Sequence, residues 1–188
     1  MFLNHTTAFD TFAPITADAA LGHAIQATAN TLFETETGWR PLHALQAGDA
    51  VATLDGGFTQ IRSVTPGAPV PMIHVPGGAL GACTDVLLPA TASVALDVPA
   101  TVCETPILSV PLRALCGWNG IRHAVDATDT LTTLTFDDEE MVFAQTGLLL
   151  HADNALPGFF ERKSYGETRA LLALWAGHLP APDYAAAA

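Results

Sequence analysis

The stretch of residues 31–53, TLFETETGWRPLHALQAGDAVAT, constrains the fold more than any other part of the chain. Two apolar runs in it are separated by a turn and a short amphipathic link. Gly38 and the Gly48-Asp49 pair are residue types that allow tight or left-handed backbone. The stretch therefore predicts a strand, a hairpin, a short helical link and a second strand.

Short β-type runs separated by Gly, Pro and Asp turns continue to about residue 150. Such runs occupy 31–35, 49–54, 58–65, 71–75, 84–88, 93–98, 107–110, 130–136 and 140–144. Leu112 to Leu115 favours a single helical turn among them. Many short strands at fairly even spacing predict an all-β architecture with antiparallel pairing.

The N-terminal extension, residues 1–25, precedes the β-type runs and includes the start of a possible short helix. Thr16 or Asp18 could cap a short helix that runs to about Thr28, with a face of small residues. We expect this face either to pack against the chain itself or to act as a docking arm for a partner.

The C-terminal stretch favours one amphipathic helix. Ser164 and Glu167 have the spacing of a capping box, in which each side chain bonds the other residue's backbone amide. Apolar residues follow at helical spacing and predict about three turns, ended by Gly177 and Pro180. That apolar face comprises Leu171, Leu172, Trp175 and Leu179. Packing on the chain's own sheet is favoured over binding to a partner.

Composition and charge exclude several classes of function. The 188 residues predict one domain with short extensions, and the net charge is −12 with seven Lys or Arg. No cluster of cations is present to neutralise phosphates, so nucleic acid and anionic membranes are disfavoured as partners. Mean hydropathy is +0.32, yet no apolar run reaches the roughly 18 residues of a transmembrane helix.

The N-terminus also lacks the basic and apolar regions of a secretory signal. A cytoplasmic location and membership of an exported or membrane-associated assembly both remain open.

No cofactor or metal site is predicted. Cys83, Cys103 and Cys116 are odd in number and form no C-x-x-C pair, which favours buried structural thiols. The seven histidines show neither H-x-x-x-H nor H-E-x-x-H spacing. An acidic stretch is interpreted as the solvated face of a hairpin, and it comprises Asp126, Asp129, Asp137, Asp138, Glu139 and Glu140.

Residues 31–57 follow the pattern T-x-x-x-T-x-x-G-W-R-P-L-x-x-L-x-x-G-D-x-V-x-T-x-D-G-G. This pattern resembles the opening block of the Hint domains, the self-processing module of hedgehog proteins and inteins. It is most similar to short bacterial members. Residues 73–81, 85–88, 110–115 and 136–144 continue the resemblance in order. It covers about 26–155, which divides the chain into an extension (1–25), a Hint-like domain (26–155) and a C-terminal helix and tail (156–188). The implied fold is a twisted, pseudo-two-fold horseshoe of short antiparallel strands.

The resemblance also implies where the chemistry of the family would lie. Self-processing begins with a thiol or hydroxyl at the first residue of the domain, which attacks the preceding carbonyl. A Thr or Ser and a His polarise that carbonyl and protonate the leaving amine. Splicing further requires a terminal Asn, whereas this chain ends in alanines.

None of these groups stands at the matching positions. Gln26 occupies the position of the nucleophile, Pro89 that of the hydroxyl and Ala92 that of the histidine. Thr133 and Glu139 occupy the positions of two later histidines. The resemblance therefore implies a pseudoenzyme with no catalytic residues.

Three functions follow as alternatives. The favoured one is a non-catalytic, acidic structural or protein-interaction subunit of a larger assembly, which contacts its partners through the N-terminal arm and the C-terminal helix. The second is a self-processing domain with a displaced nucleophile, for which Thr28, Thr31 and Cys83 are candidates. The third is a β domain that binds carbohydrate or another small ligand through Trp39 and Trp118.

Overall fold

The computed structural model describes residues 22–124, 130–154 and 156–178. The predicted caps Thr16 and Asp18, the helix end at Leu179 and Pro180, and the acidic residues Asp126 and Asp129 lie outside these ranges. Within them the strands are β1 His23–Thr28, β2 Leu32–Thr35, β3 Gly38–Pro41, β4 Ala50–Ala52, β5 Phe58–Gln60, β6 Ser63–Pro66, β7 Met72–Val75, β8 Val86–Pro89, β9 Ser93–Asp97, β10 Ile107–Pro111, β11 Arg122–Ala124, β12 Leu131–Phe136, β13 Glu140–Ala144 and β14 Leu148–Ala152.

Helical structure in the described residues consists of one α-helix and three single 3₁₀ turns. Helix α1 spans Tyr165–His178, and the 3₁₀ turns are Leu42–Ala44, Ala79–Gly81 and Leu112–Leu115. The turn expected at Leu112 is thus confirmed. No helix in the described ranges has the length and apolar character needed to cross a membrane.

The strands form antiparallel sheets, as expected from the turn spacing. In the described part of the chain, the largest sheet has the order β10-β9-β14-β13-β2-β4-β5, with β3 paired to β2. Two smaller sheets have the orders β1-β12-β6 and β11-β7-β8. The fold class is therefore all-β with one C-terminal helix, as predicted.

The block 31–53 folds as its turn residues dictate. Strands β2 and β3 form a hairpin, the 3₁₀ turn follows, and β4 pairs with β2. Gly38 has a φ of +105° and Gly48 a φ of +92°, conformations that L side chains rarely adopt. All four elements of the prediction are confirmed.

The prediction of a helix that reaches Thr28 is wrong for residues 23–28, because these residues form β1. This strand pairs with β12 in continuous register from His23 opposite Phe136 to Thr28 opposite Leu131. The side chains of Ile25 and Ala27 are buried. Pairing with a strand about a hundred residues away overrides the local helical preference.

Two further differences concern the predicted runs. The run 58–65 divides into β5 and β6 because Ile61 bonds Asp49 and Arg62 bonds Thr135, which transfers the chain from the largest sheet to a small one. Strands β11 and β14 were not predicted. The apolar sequence of β14 lies between β13 and β9.

Helix α1 packs against its own chain, which is the arrangement that the sequence favoured over binding to a partner. The capping box is formed, with the Ser164 amide donating to Glu167 Oε2 at 2.8 Å and the Glu167 amide to Ser164 Oγ at 3.3 Å. The Trp175 ring lies 5.4 Å from that of Trp118. The helix continues through Gly177 to His178, which lies between the two residues expected to end it.

A close backbone contact joins the 3₁₀ turn at 79–81 to the turn between β13 and β14. A Cβ added at Gly147 would lie 2.7 Å from the carbonyl oxygen of Gly81. Neither backbone can move without disturbing the strands next to it. The contact therefore requires glycine on both sides.

We expect Gly147→Ala to lower the free energy of unfolding by about 1–3 kcal/mol, because overpacking forces backbone shifts. Urea unfolding would measure this change. The matched control is Gly166→Ala in α1, where an added Cβ meets nothing within 4 Å. There alanine should stabilise by about 0.5–1 kcal/mol, and equal effects at both positions would contradict the interpretation.

Candidate functional site

Three of the positions at which the resemblance implies lost chemistry lie around one cavity of ≈ 380 Å³. Gln26, Ala92 and Thr133 all line it, and we call it the Gln26 cavity. Gln26 lies directly opposite Thr133 in the β1–β12 register. Its Nε2 donates to Thr133 Oγ1 at 3.3 Å, so the amide bridges the two strands.

The fourth position, Pro89, lies one turn away from this cavity. It ends β8, opposite Met72 in β7. The Ala92 amide donates to the Pro89 carbonyl at 2.9 Å, which closes a tight turn. The fold therefore brings Gln26, Ala92 and Thr133, which are far apart in sequence, together around one cavity, with Pro89 close by.

The candidate displaced nucleophiles do not meet at the cavity. The hydroxyls of Thr28 and Thr31 are buried and 3.0 Å apart, and each has the other as a partner. Cys83 is exposed in the loop before β8, with Sγ 4.0 Å from Thr84 Oγ1. None of the three lines the Gln26 cavity.

The expectation of three buried thiols is wrong. Cys83 is exposed, and Cys103 and Cys116 are half-buried. Partial burial still raises the pKa of the Cys116 thiol, although Arg169 opposes this. All three thiols are free, in line with the absence of a C-x-x-C pair.

A buried polar network borders the Gln26 cavity, and sequence reasoning missed it. His151, in β14, lines the cavity and hydrogen-bonds Ser109 Oγ through Nδ1 at 2.7 Å. Its Nε2 lies 2.9 Å from Glu139 Oε1. Arg162 contacts Glu139 Oε1 at 2.6 Å and Asp153 Oδ1 at 2.8 Å. These five residues form what we call the Glu139 network.

Glu139 also holds the backbone that follows the last strand. Its Oε2 accepts hydrogen bonds from the amides of Phe159 and Phe160. At Gly158 an added Cβ would collide with the same carboxylate. Glu139 thus ties the segment that leads into α1 to the loop between β12 and β13.

The partners determine the charge states in the network. Burial raises the pKa of Glu139, but the hydrogen bonds from Arg162, Phe159 and His151 outweigh it, so the net pKa is lowered. Burial lowers the pKa of His151 despite the nearby carboxylates. The ionised carboxylate can only accept, so neutral His151 carries its proton on Nε2 and Nδ1 accepts from Ser109.

The order Ser109, His151, Glu139 is that of a nucleophilic triad, but the serine is buried. Ser109 is 3% exposed. Its backbone is bonded on both sides, its amide to Glu161 O and its carbonyl to the Lys163 amide. A substrate carbonyl cannot approach Oγ in this arrangement.

The acidic run was the only sequence signal near this network, and it indicated the wrong environment for Glu139. Asp137 and Asp138 are exposed as expected, but β12 and β13 belong to different sheets rather than to one hairpin, and the Glu139 side chain is only 7% exposed. A better signal was His151 within the apolar run of β14, because a buried polar side chain requires a partner.

The two tryptophans of the ligand-binding alternative have different environments. Trp39 is partly exposed on β3. Trp118 packs against Trp175 of α1.

As for metals, the described ranges contain no group of three or more His, Cys, Asp or Glu arranged to hold an ion.

The structure is similar to several intein structures. The MchDnaB-1 intein matches with a TM-score of 0.47 and 16% identity, over 66% of this chain and 98% of the intein. The Msm DnaB1 intein splicing domain bound with zinc matches with a TM-score of 0.43 and 14% identity, over 68% and 99%. The gp41-1 intein gives 0.42 and 13%, over 67% and 98%.

At these identities and TM-scores the likeness establishes neither the family nor the function of this chain. No protein-family model matches the chain, and no curated protein matches it.

We expect Glu139→Gln to destabilise the protein by about 2–3 kcal/mol, because Arg162 and a backbone amide lose a charged acceptor. Thermal or urea unfolding would measure the loss. Asp137→Asn is the control, since its ion pair with Arg62 is largely exposed and should contribute less than about 1 kcal/mol. Similar losses in both variants would show that Glu139 has no special role.

Acid should weaken the fold through His151. Its folded pKa lies below the ordinary value of 6.5, so below pH 6.5 the unfolded chain binds a proton that the folded chain does not. The free energy of unfolding therefore falls as the pH drops from 6.5 to the folded pKa. His151→Gln should flatten this dependence, measured by urea unfolding at a series of pH values, while the exposed His123→Gln should leave it unchanged.

Proposed function

We propose that this chain is a non-catalytic Hint-like domain that serves as a structural or protein-interaction subunit of a larger assembly. The observation that carries the proposal is the Gln26 cavity. An amide stands at the position of the nucleophile and is hydrogen-bonded to Thr133. An amide cannot attack a carbonyl at neutral pH, and Ala92 supplies no proton donor beside it.

The environments of the other hydroxyls and thiols also support the proposal. Thr28 and Thr31 bond each other, and Ser109 is enclosed by the Glu139 network. Cys83 lies on an exposed loop away from the cavity. Self-processing by a displaced nucleophile, the competing function, would require one of these groups to reach a scissile carbonyl.

Large apolar side chains on the surface favour a role in protein contacts. Exposed aromatic and aliphatic residues are enriched where proteins meet partners. In the described residues these are Trp39, Phe58, Leu156, Phe159, Tyr165 and Leu174. Phe159 is 89% exposed, which is unusual for a phenylalanine in a protein that remains alone.

The test is purification of the chain from its native cells under mild conditions, with intact-mass determination and identification of co-eluting proteins. We expect the uncleaved mass and a companion in stoichiometric amount. Incubation with a thiol and with hydroxylamine, which cleave esters and thioesters, should leave the mass unchanged.

Two outcomes would contradict the proposal. A shortened mass, abolished by Thr28→Ala or Cys83→Ala, would establish self-processing. An uncleaved chain that elutes from gel filtration as a monomer without companions would exclude the assembly.

A further inference from the structure

A second cavity, also of ≈ 380 Å³, lies on the other side of the Glu139 network. Its walls are apolar and its edge is acidic. The apolar residues are Leu54, Met141, Phe159 and Phe160, and the carboxylates are Asp55, Glu139 and Glu140. We call it the Phe159 cavity, after the most exposed of these side chains.

Backbone hydrogen bonds fix both walls of this cavity. The Leu54 amide donates to the Met141 carbonyl at 2.9 Å. On the opposite wall, the amides of Phe159 and Phe160 donate to Glu139, and the two phenyl rings meet edge to face at 5.2 Å. The cavity is therefore preformed, with an aromatic face open to solvent.

Arg162 balances the charge of Glu139, whereas the salt bridges between described residues include none to Asp55 or Glu140. Asp55 accepts from the Thr53 hydroxyl and the Gly57 amide, and these bonds lower its pKa, so it stays ionised.

The pKa of Glu140 is raised by burial and by the charges of Asp55 and Asp138, while Thr59 and His23 act in the opposite direction. Negative charges thus converge beside an apolar wall, and an incoming cation would relieve their repulsion.

We propose that the Phe159 cavity is the docking site for an arginine-bearing apolar segment of a partner protein. The guanidinium lies over the Phe159 ring and pairs with the carboxylates of Asp55 and Glu140, while a neighbouring apolar side chain fills the cavity. Arginine suits this site because its planar group stacks on aromatic rings and binds carboxylates with two hydrogen bonds. This inference rests on the proposed role as an interaction subunit.

Charge argues against a second copy of this chain as the occupant. Each copy carries −12, so two copies repel each other. The chain's own cations are also largely engaged already. Salt bridges and hydrogen bonds within the described residues hold Arg40, Arg62, Arg162, Lys163 and Arg169.

The test titrates the full chain, labelled with ¹⁵N, with the peptide acetyl-Leu-Arg-Phe-Arg-Leu-amide and follows amide chemical shifts. We expect a Kd below about 1 mM, with the shifts concentrated at Leu54, Asp55, Glu140 and Phe159. A peptide with citrulline in place of both arginines keeps the shape and loses the charge. It should bind at least about fivefold more weakly.

Two variants of the chain assign the contact. Phe159→Ala and Glu140→Gln should each weaken binding by about three- to fivefold. The controls are Leu174→Ala, another exposed apolar side chain, and Glu104→Gln, another exposed carboxylate. Both controls should bind the peptide as the unchanged chain does.

Equal binding of the citrulline peptide, shifts centred on another surface, or a dimer that Phe159→Ala dissociates would each overturn the proposal. Co-elution of the native companion with the two variants distinguishes a failure of this inference from a failure of the proposed function. A companion lost with Phe159→Ala and Glu140→Gln supports both. A companion retained by these variants leaves the interaction role intact and excludes this docking site, and the absence of any companion overturns both.

Discussion

The structure depends on one buried carboxylate. Glu139 accepts from His151, from Arg162 and from two backbone amides, and each donor lies outside the loop between β12 and β13 that carries it. A buried charge is tolerated only where such partners compensate its lost hydration. These bonds help to fix the course of residues 158–162, together with the backbone bonds of Ser109 to Glu161 and Lys163. The same side chain lines the Phe159 cavity, and its partner His151 lines the Gln26 cavity.

Strand pairing positions the side chains that face each other in the Gln26 cavity. Strand pairing brings residues 26 and 133 together whatever their side chains are, because the register is set by the buried residues Ile25, Ala27 and Leu134. Between these fixed strands, an amide and a hydroxyl form an ordinary cross-strand pair. The pair therefore adds a side-chain contact between the two strands.

Sequence reasoning succeeded where the determining interactions are local. The hairpin at Gly38 and the capping box at Ser164 are encoded within a few residues, and both form as predicted. It failed where a partner distant in sequence determines the secondary structure or the burial of a residue. Residues 23–28 become a strand because β12 offers a free edge, and Glu139 is buried because His151 and Arg162 reach it. Neither partner can be identified from the sequence nearby.

The contact between Gly158 and Glu139 links two positions in evolution. A side chain at 158 would displace the carboxylate, and this displacement would weaken the bond to Arg162, which would keep Asp153 as its other partner. The two positions therefore depend on each other. A substitution at 158 should cost less stability where residue 139 is no longer a carboxylate.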